Sequence, residues 1–217
     1  MSKTRFLPLR DRAEAGRRLA RLLLAQSPAA ANGLVLALPR GGVAVARPIA
    51  DALHAELDLL LVRKVGAPGQ PELAYAALVD GDPPVLELNA ELAADWPVEA
   101  GWLDAAVARE RQVLQARRLC YRGGRAPAAV SGRTVVVVDD GLATGTTMAA
   151  ALEVLRRAGA SRLVLAVPVA PLATLQRLGA LVDEVHCLAT PTPFWSIGEH
   201  YVDFHQLDDE EVLALLA

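Results

Sequence analysis

The sequence predicts an α/β protein: an open, mostly parallel sheet with helices on both faces, plus a small hood or lid from the termini and an insertion. Three observations predict it. Short strand-like segments at Leu34–Leu38, Leu57–Val62, Val135–Val138, Leu163–Val167 and Glu184–Leu188, all but the last mainly aliphatic, alternate with helical patterns, the rhythm of βαβ units. Val135 to Val138 are four consecutive β-branched residues, which reads as a short strand buried on both faces. Strands also run through glycine-bearing turns into helices, and such turns at strand C-termini line a ligand crevice.

Composition sets the bounds. The 217 residues suffice for one α/β domain with an appendage, so a single domain over 1–217 is expected. Hydrophobic content of 53% makes burial ample, while charged residues or Pro interrupt every apolar run before it reaches membrane-spanning length. Met1 to Arg10 has too short an apolar core for a secretory signal. A formal net charge of −3 gives no support for general nucleic-acid affinity. Cys120 and Cys187 alone make neither a disulfide framework nor a metal-ligand spacing. A cytoplasmic protein is the expectation.

Taken in order, Arg10 to Gln26 is an amphipathic helix with Leu19, Leu22 and Leu23 on one face. Leu34 to Leu38 is a buried strand ending in Pro39-Arg40-Gly41-Gly42, ahead of a helix from Val43 to Leu53. The two glycines would let backbone approach an anion and Arg40 would add charge; an ordinary glycine turn with a surface Arg is the plainer alternative. Leu57 to Val62 is a further buried strand, with Arg63 and Lys64 at its terminus, either anion-binding or merely solvated. Residues 66–124 form an insertion. It holds candidate hairpin strands at Ala74–Val79 and Val85–Leu88 around Asp80-Gly81-Asp82-Pro83-Pro84, then a long Arg- and Glu-rich helix from Glu99 to Cys120. A lid and an oligomer contact, making a homo-oligomer, are both open for it.

The informative stretch is Thr134 to Met148. After the valines come two carboxylates, Asp139 and Asp140, a turn Gly141-Leu142-Ala143-Thr144-Gly145, and a helical pattern opening with Thr146 and Thr147. Backbone N–H groups of a Gly/Thr loop, the positive end of a helix dipole and several hydroxyls make a phosphate seat. The acids would repel a phosphate; they suit hydroxyls or a hard cation. Vicinal hydroxyls beside a phosphate describe a ribose 5-phosphate. A Walker A loop is missing its Lys after Gly145, and no Gly-x-Gly-x-x-Gly occurs here. A strand-turn-helix whose acids merely cap the helix would use one acid and not the whole arrangement.

Val135 to Thr147 resembles the 13-residue phosphoribosyl pyrophosphate (PRPP) signature of type I phosphoribosyltransferases. Ala37-Leu-Pro-Arg-Gly-Gly42 is similar to a stretch in uncharacterised members of that family. The resemblance implies roles. Asp139 and Asp140 would bind the ribose hydroxyls, directly or through Mg2+, so both are the candidate metal ligands. Gly141, Ala143, Thr144, Gly145, Thr146 and Thr147 would hold the 5-phosphate. Arg40, Gly41, Gly42, Arg63 and Lys64 would serve pyrophosphate, with Arg40, Lys64, Asp139 and Asp140 as the catalytic set. A mobile loop within 66–124 would close over the site and exclude water.

The remaining elements are a helix from Met148 to Ala158, a strand at Leu163–Val167, a helix at Leu172–Leu178, a strand at Glu184–Leu188 and a closing helix at Asp208–Leu216. Residues 189–217 would form a hood over the acceptor, where Phe194 and Trp195 are candidates to stack on a planar acceptor, with Tyr201 behind; the alternative is that these aromatics cement the tail to the core. His200 and His205 read as structural. In the 6-oxopurine branch of the family an Asp acts as base at the position of Ala143, which argues against hypoxanthine or guanine here. Two readings follow from the resemblance: a Mg2+-dependent phosphoribosyltransferase acting on a small, nucleobase-like acceptor, or a PRPP- or nucleotide-sensing protein that has lost transfer.

Overall fold

The computed structural model describes residues 7–217 apart from Asp82. Residues 1–6, the first part of the segment read for a secretory signal, and Asp82 of the expected turn lie outside the described residues. The core is a five-stranded parallel sheet in the order β2-β1-β6-β7-β8. Its strands are β1 (Leu34–Ala37), β2 (Glu56–Leu59), β6 (Thr134–Val138), β7 (Arg162–Val169) and β8 (Glu184–Ala189). On one face lie α1 (Arg12–Gln26), α2 (Gly41–Leu53) and α7 (Asp209–Leu216); on the other lie α5 (Thr146–Arg157) and α6 (Leu172–Gly179).

Both faces being covered explains the unbroken apolar runs. Val35, Ala37, Val136, Val138, Val164 and Ala166 pack beneath α1 and α2 against Leu19, Val43 and Ile49. Their strand neighbours Leu34, Leu36, Val135, Val137, Leu163 and Leu165 point the other way, onto Met148, Leu152 and Leu155 of α5 and Leu178 of α6.

The expected strand Leu57–Val62 is instead two strands. β2 ends at Leu59, the buried Leu60 and Leu61 cross over, and β3 (Val62–Ala67) opens a second, antiparallel sheet with β4 (Gln70–Val79) and β5 (Val85–Leu88). A continuous apolar run conceals the crossing because both sides of it are buried. Arg63 and Lys64 therefore lie inside β3, paired in register with Leu78 and Ala77, and not at a strand terminus. The hairpin strands expected at Ala74–Val79 and Val85–Leu88 are β4 and β5, with β4 starting earlier.

This second sheet packs against α5 and against α4 (Ala100–Arg122), which follows the short α3 (Ala90–Asp95). Tyr75 and Trp102 meet edge to face at 5.9 Å between ring centres. A buried network ties the insertion to the core: Arg122 donates through Nε and Nη2 to both carboxylate oxygens of Asp58 at 3.1 and 3.2 Å. It also donates to the Leu59 carbonyl at 2.6 Å and to Asp80.

The terminal segments meet beside β8. Leu9 N–H donates to the His200 carbonyl and Val202 N–H to the Leu9 carbonyl, each at 2.8 Å, around a parallel bridge between Leu9 and Tyr201. Leu9, Ala15, Val169, Ala189 and Tyr201 form a satellite core there, flanked by Phe194, Ile197 and Phe204.

Candidate functional site

The chain turns after β1 and after β6 meet at the C-terminal edge of the parallel sheet, where the strand order places a crevice. A cleft of about 310 Å³ opens there. Asp139, Gly141, Ala143, Thr144, Gly145, Thr146 and Thr147 line it, joined by Leu38, Pro39, Leu60, Val62 and Ile197. One acid and the whole glycine-threonine loop thus share one cavity.

The loop is held from outside the cleft. Thr174 Oγ1 donates to the Ala143 carbonyl at 2.7 Å, Arg177 donates to the Thr144 carbonyl, and Leu142 N–H donates to the Val169 carbonyl at 3.0 Å. With carbonyls tied back and α5 beginning at Thr146, the loop and helix N-terminus offer N–H groups and the positive end of the dipole to the cleft. Gly145 caps α5 at φ +68°, a left-handed conformation that disfavours a side chain. A Cβ there would also lie 2.8 Å from Thr174 Cγ2.

The two acids are in different situations. Asp139 keeps part of its surface open to the cleft yet lies deep among protein atoms. That desolvation first, and the adjacent Asp140 charge second, hold its carboxyl well above the usual carboxylate range. Its Oδ1 accepts from the Asp140 N–H at 2.8 Å. Asp140 is turned toward the N-terminal helix, where Arg12 Nε donates to its Oδ2 at 2.7 Å. The Asp140 carbonyl accepts from Tyr201 Oη at 2.7 Å. Burial, then the charge of Asp140, drive the Tyr201 phenol far upward, so it stays a neutral donor.

The second loop differs from expectation in one respect. Gly41 and Gly42 are the first residues of α2, with the helix starting two residues earlier than the sequence pattern indicates. Gly42 N–H donates to the Leu38 carbonyl at 3.1 Å, so it closes the turn. Arg40, half-buried, stands at the N-cap after a cis Pro39-Arg40 bond. A Cβ on Gly42 would lie 3.3 Å from Asp139 Oδ1, which sets this turn directly against the acid pair.

The other candidates stand further off. Arg63 pairs with Glu110 of α4 at 2.8 Å, and Lys64 sits beside it in β3. Phe194 packs on His200 with ring centres 5.0 Å apart, within the tail cluster. Trp195 is 81% exposed. From the tail it is Ile197 that lines the cleft, pressed so close to Gly141 that a Cβ there would meet its Cγ2 at 2.5 Å. Sequence reasoning missed Ile197, Thr174 and Arg12. Nothing local marks Arg12, whose partner Asp140 is 128 positions away.

The donors near the cleft suit a cation that arrives with its phosphate. Among the described residues no group of three or more His, Cys, Asp or Glu side chains could cage a metal ion. Magnesium needs no such cage: it binds through one or two carboxylates plus substrate phosphates and keeps several waters. Asp139, facing the loop across the cleft, fits that pattern. Among the described residues no helix is long and apolar enough to cross a membrane.

Comparison with known proteins agrees with this geometry. The model of the phosphoribosyl transferase domain matches residues 5–203. Two proteins provisionally named phosphoribosyl transferases, from Mycobacterium tuberculosis strains H37Rv and CDC 1551, are each 45% identical over 206 residues. The match covers 95% of this chain and 46% of theirs, so the chain spans about half the length of these curated relatives. The crystal structure of TT1426 from Thermus thermophilus is 44% identical, with a TM-score of 0.84 over 97% of this chain and 98% of that one.

Proposed function

The chain belongs to the phosphoribosyl transferase domain family, and from that premise we propose that it is a magnesium-dependent transferase moving the 5-phosphoribosyl group of PRPP to a small, nucleobase-like acceptor, with release of pyrophosphate. The observation that carries the proposal is the single cleft shared by Asp139 and the loop Gly141 to Thr147. It pairs an acceptor of sugar hydroxyl hydrogens with a seat for a phosphate, at the separation that one strand-to-helix turn imposes.

In the reaction the bond from C1 of the ribose to pyrophosphate breaks and a bond from C1 to the acceptor forms. Positive charge grows on the sugar ring and negative charge on the leaving group. The chain's task is orientation and charge stabilisation. The loop from Ala143 to Thr147 anchors the 5-phosphate. Asp139 and Asp140 would accept hydrogen bonds from the ribose hydroxyls, beside the ring where cationic character develops. Arg40, at the N-cap of α2, and Lys64, in the second sheet, would serve the pyrophosphate. Asp139 and Asp140 would hold a magnesium ion together with the substrate phosphates, and the ion would supply charge neutralisation for the leaving group.

Ala143 has no proton acceptor in its side chain, and its carbonyl is occupied by Thr174. The acceptor's proton would therefore leave to another group, which argues against a 6-oxopurine acceptor on that pattern and leaves other acceptors open. Calorimetric titration of magnesium-PRPP into the wild type and into Asp139→Ala/Asp140→Ala tests the reading. Saturable binding that disappears in the double variant is the expected result, followed by an acceptor screen on pyrophosphate release. A folded wild type that binds no magnesium-PRPP would overturn it.

A further inference from the structure

Arg12 sits in the first turn of α1, and its guanidinium has three separate partners. Nε donates to Asp140 Oδ2 at 2.7 Å, Nη1 donates to the His205 carbonyl at 2.8 Å, and Cζ lies 3.8 Å from the centre of the Phe204 ring. A planar cation fixed on two edges and one face has little freedom left. Arg12 and Asp140 side chains are only 9% and 14% exposed, so the pair is shielded from solvent screening. Gly41 completes the arrangement from below, since any Cβ there would overlap Asp140 Oδ2 at 1.9 Å.

We infer that Arg12 is a positioning residue for the ribose end of the site: it fixes Asp140 through Oδ2 and leaves Asp140 Oδ1, with the Asp139 carboxylate, for the sugar hydroxyls. The physical need is plain. Two adjacent carboxylates repel each other, and an unpaired Asp140 would swing toward solvent. A fixed guanidinium cancels one charge without blocking the cleft, because it approaches from the α1 side. Tyr201 Oη, bonded to the Asp140 carbonyl, restrains the same residue through its backbone. The N-terminal helix and the C-terminal tail thus both hold the second acid of the pair.

The inference rests on the PRPP reading, and the test separates the two. Two probes are used: magnesium-PRPP, followed by calorimetry, and inorganic phosphate, followed by phosphorus NMR. Phosphate needs only the loop. Arg12→Gln is expected to weaken magnesium-PRPP binding by about tenfold or more while leaving phosphate binding within about twofold of wild type. Arg12→Lys keeps the charge but cannot reach both partners, and falls between. Asp140→Asn weakens PRPP to a similar degree, and the Arg12→Gln/Asp140→Asn double variant is no weaker than the worse single one, because both act on one interaction. Wild-type PRPP affinity in Arg12→Gln would overturn the inference. So would equal loss of both probes, or losses that multiply in the double variant. Should Arg12→Gln fail to fold by circular dichroism, Arg12→Lys decides alone: wild-type affinity there overturns the inference and a reduced one supports it. A wild type that binds phosphate but no magnesium-PRPP removes the parent reading, and this inference with it.

Discussion

A Cβ on Gly41 would lie 1.9 Å from Oδ2 of Asp140, with Arg12 Nε 3.0 Å away on the same side. Glycine is required here by proximity and not by backbone conformation, because Gly41 is an ordinary helical residue of α2. Alanine would favour the helix by about 1 kcal/mol on intrinsic propensity. Against that, overpacking costs about 1–3 kcal/mol, and the groups nearest the new methyl are the acid and its cation.

Gly41→Ala is therefore expected to displace Asp140 and weaken magnesium-PRPP binding by about tenfold, a loss near 1.4 kcal/mol. Calorimetry checks the affinity and a thermal melt checks the fold. Unchanged affinity would mean that the acid's position is immaterial to the ligand.

Asp139 carries a pH signature. Its carboxyl is held well above the usual range by burial first and by Asp140 second. Between the ordinary carboxylate value and the raised folded value, the native state keeps a proton that the unfolded chain has released. Stability of the ligand-free protein accordingly falls as pH rises through that window, and the penalty is absent below the unfolded value. Asp139→Asn removes the penalty. In chelator-treated protein it should be more stable than wild type at neutral pH and equal to it near pH 3, about the low end of carboxylate titration, while binding PRPP poorly. Urea midpoints measured across pH test the sign, and a variant less stable at neutral pH would contradict it.

Arg122 is the anchor of the insertion. Its side chain is 4% exposed and serves Asp58, the 2%-exposed Asp80 and the Leu59 carbonyl. Arg118 approaches Asp80 from the other side at 3.0 Å. Arg122→Met leaves two carboxylates short of a partner in a buried place, and breaking such a network costs about 3–5 kcal/mol. Urea denaturation should read a loss of that size, and a loss below about 1 kcal/mol, the range of an exposed pair, would show that the network is dispensable.

Gly145→Ala tests the phosphate seat. The residue has φ +68°, and a Cβ would press on Thr174 Cγ2 at 2.8 Å and Leu178 Cδ1 at 3.1 Å. Thr174 is the residue that ties back the Ala143 carbonyl, so relief of the clash moves the loop itself. Phosphate binding followed by NMR should weaken by about tenfold or more; wild-type affinity would show that the loop tolerates the change.

Much of this is legible in the chain. Val135 to Val138, four β-branched residues in a row, read as a strand covered on both faces, and the acids, glycines and threonines that follow it fall at its C-terminal end. Local chemistry settles that much. The crossing at Leu60 and Leu61 is hidden, since a run of leucines looks alike whether it continues one strand or passes between two sheets. For the same reason the pattern sets Arg63 and Lys64 at a terminus, whereas they lie inside β3. Arg12 is beyond reach for a different reason. Its three partners, Asp140, Phe204 and the His205 carbonyl, come from distant parts of the sequence, and no periodicity encodes a contact of that range.

The pairing of the two ends of the domain has a consequence for the newly made chain. Arg12 leaves the ribosome 193 residues ahead of His205, whose carbonyl it binds. The parallel strands and the glycine-threonine loop can pack while synthesis continues, but Leu9 waits for His200 and Val202, and Asp140 waits for Tyr201. A nascent chain halted before residue 200 could pair Arg12 with Asp140, but without the Phe204 ring and the His205 carbonyl that fix the guanidinium and without the Tyr201 bond to the Asp140 backbone. The full set of restraints on the acid pair is complete only once the tail through His205 has been made.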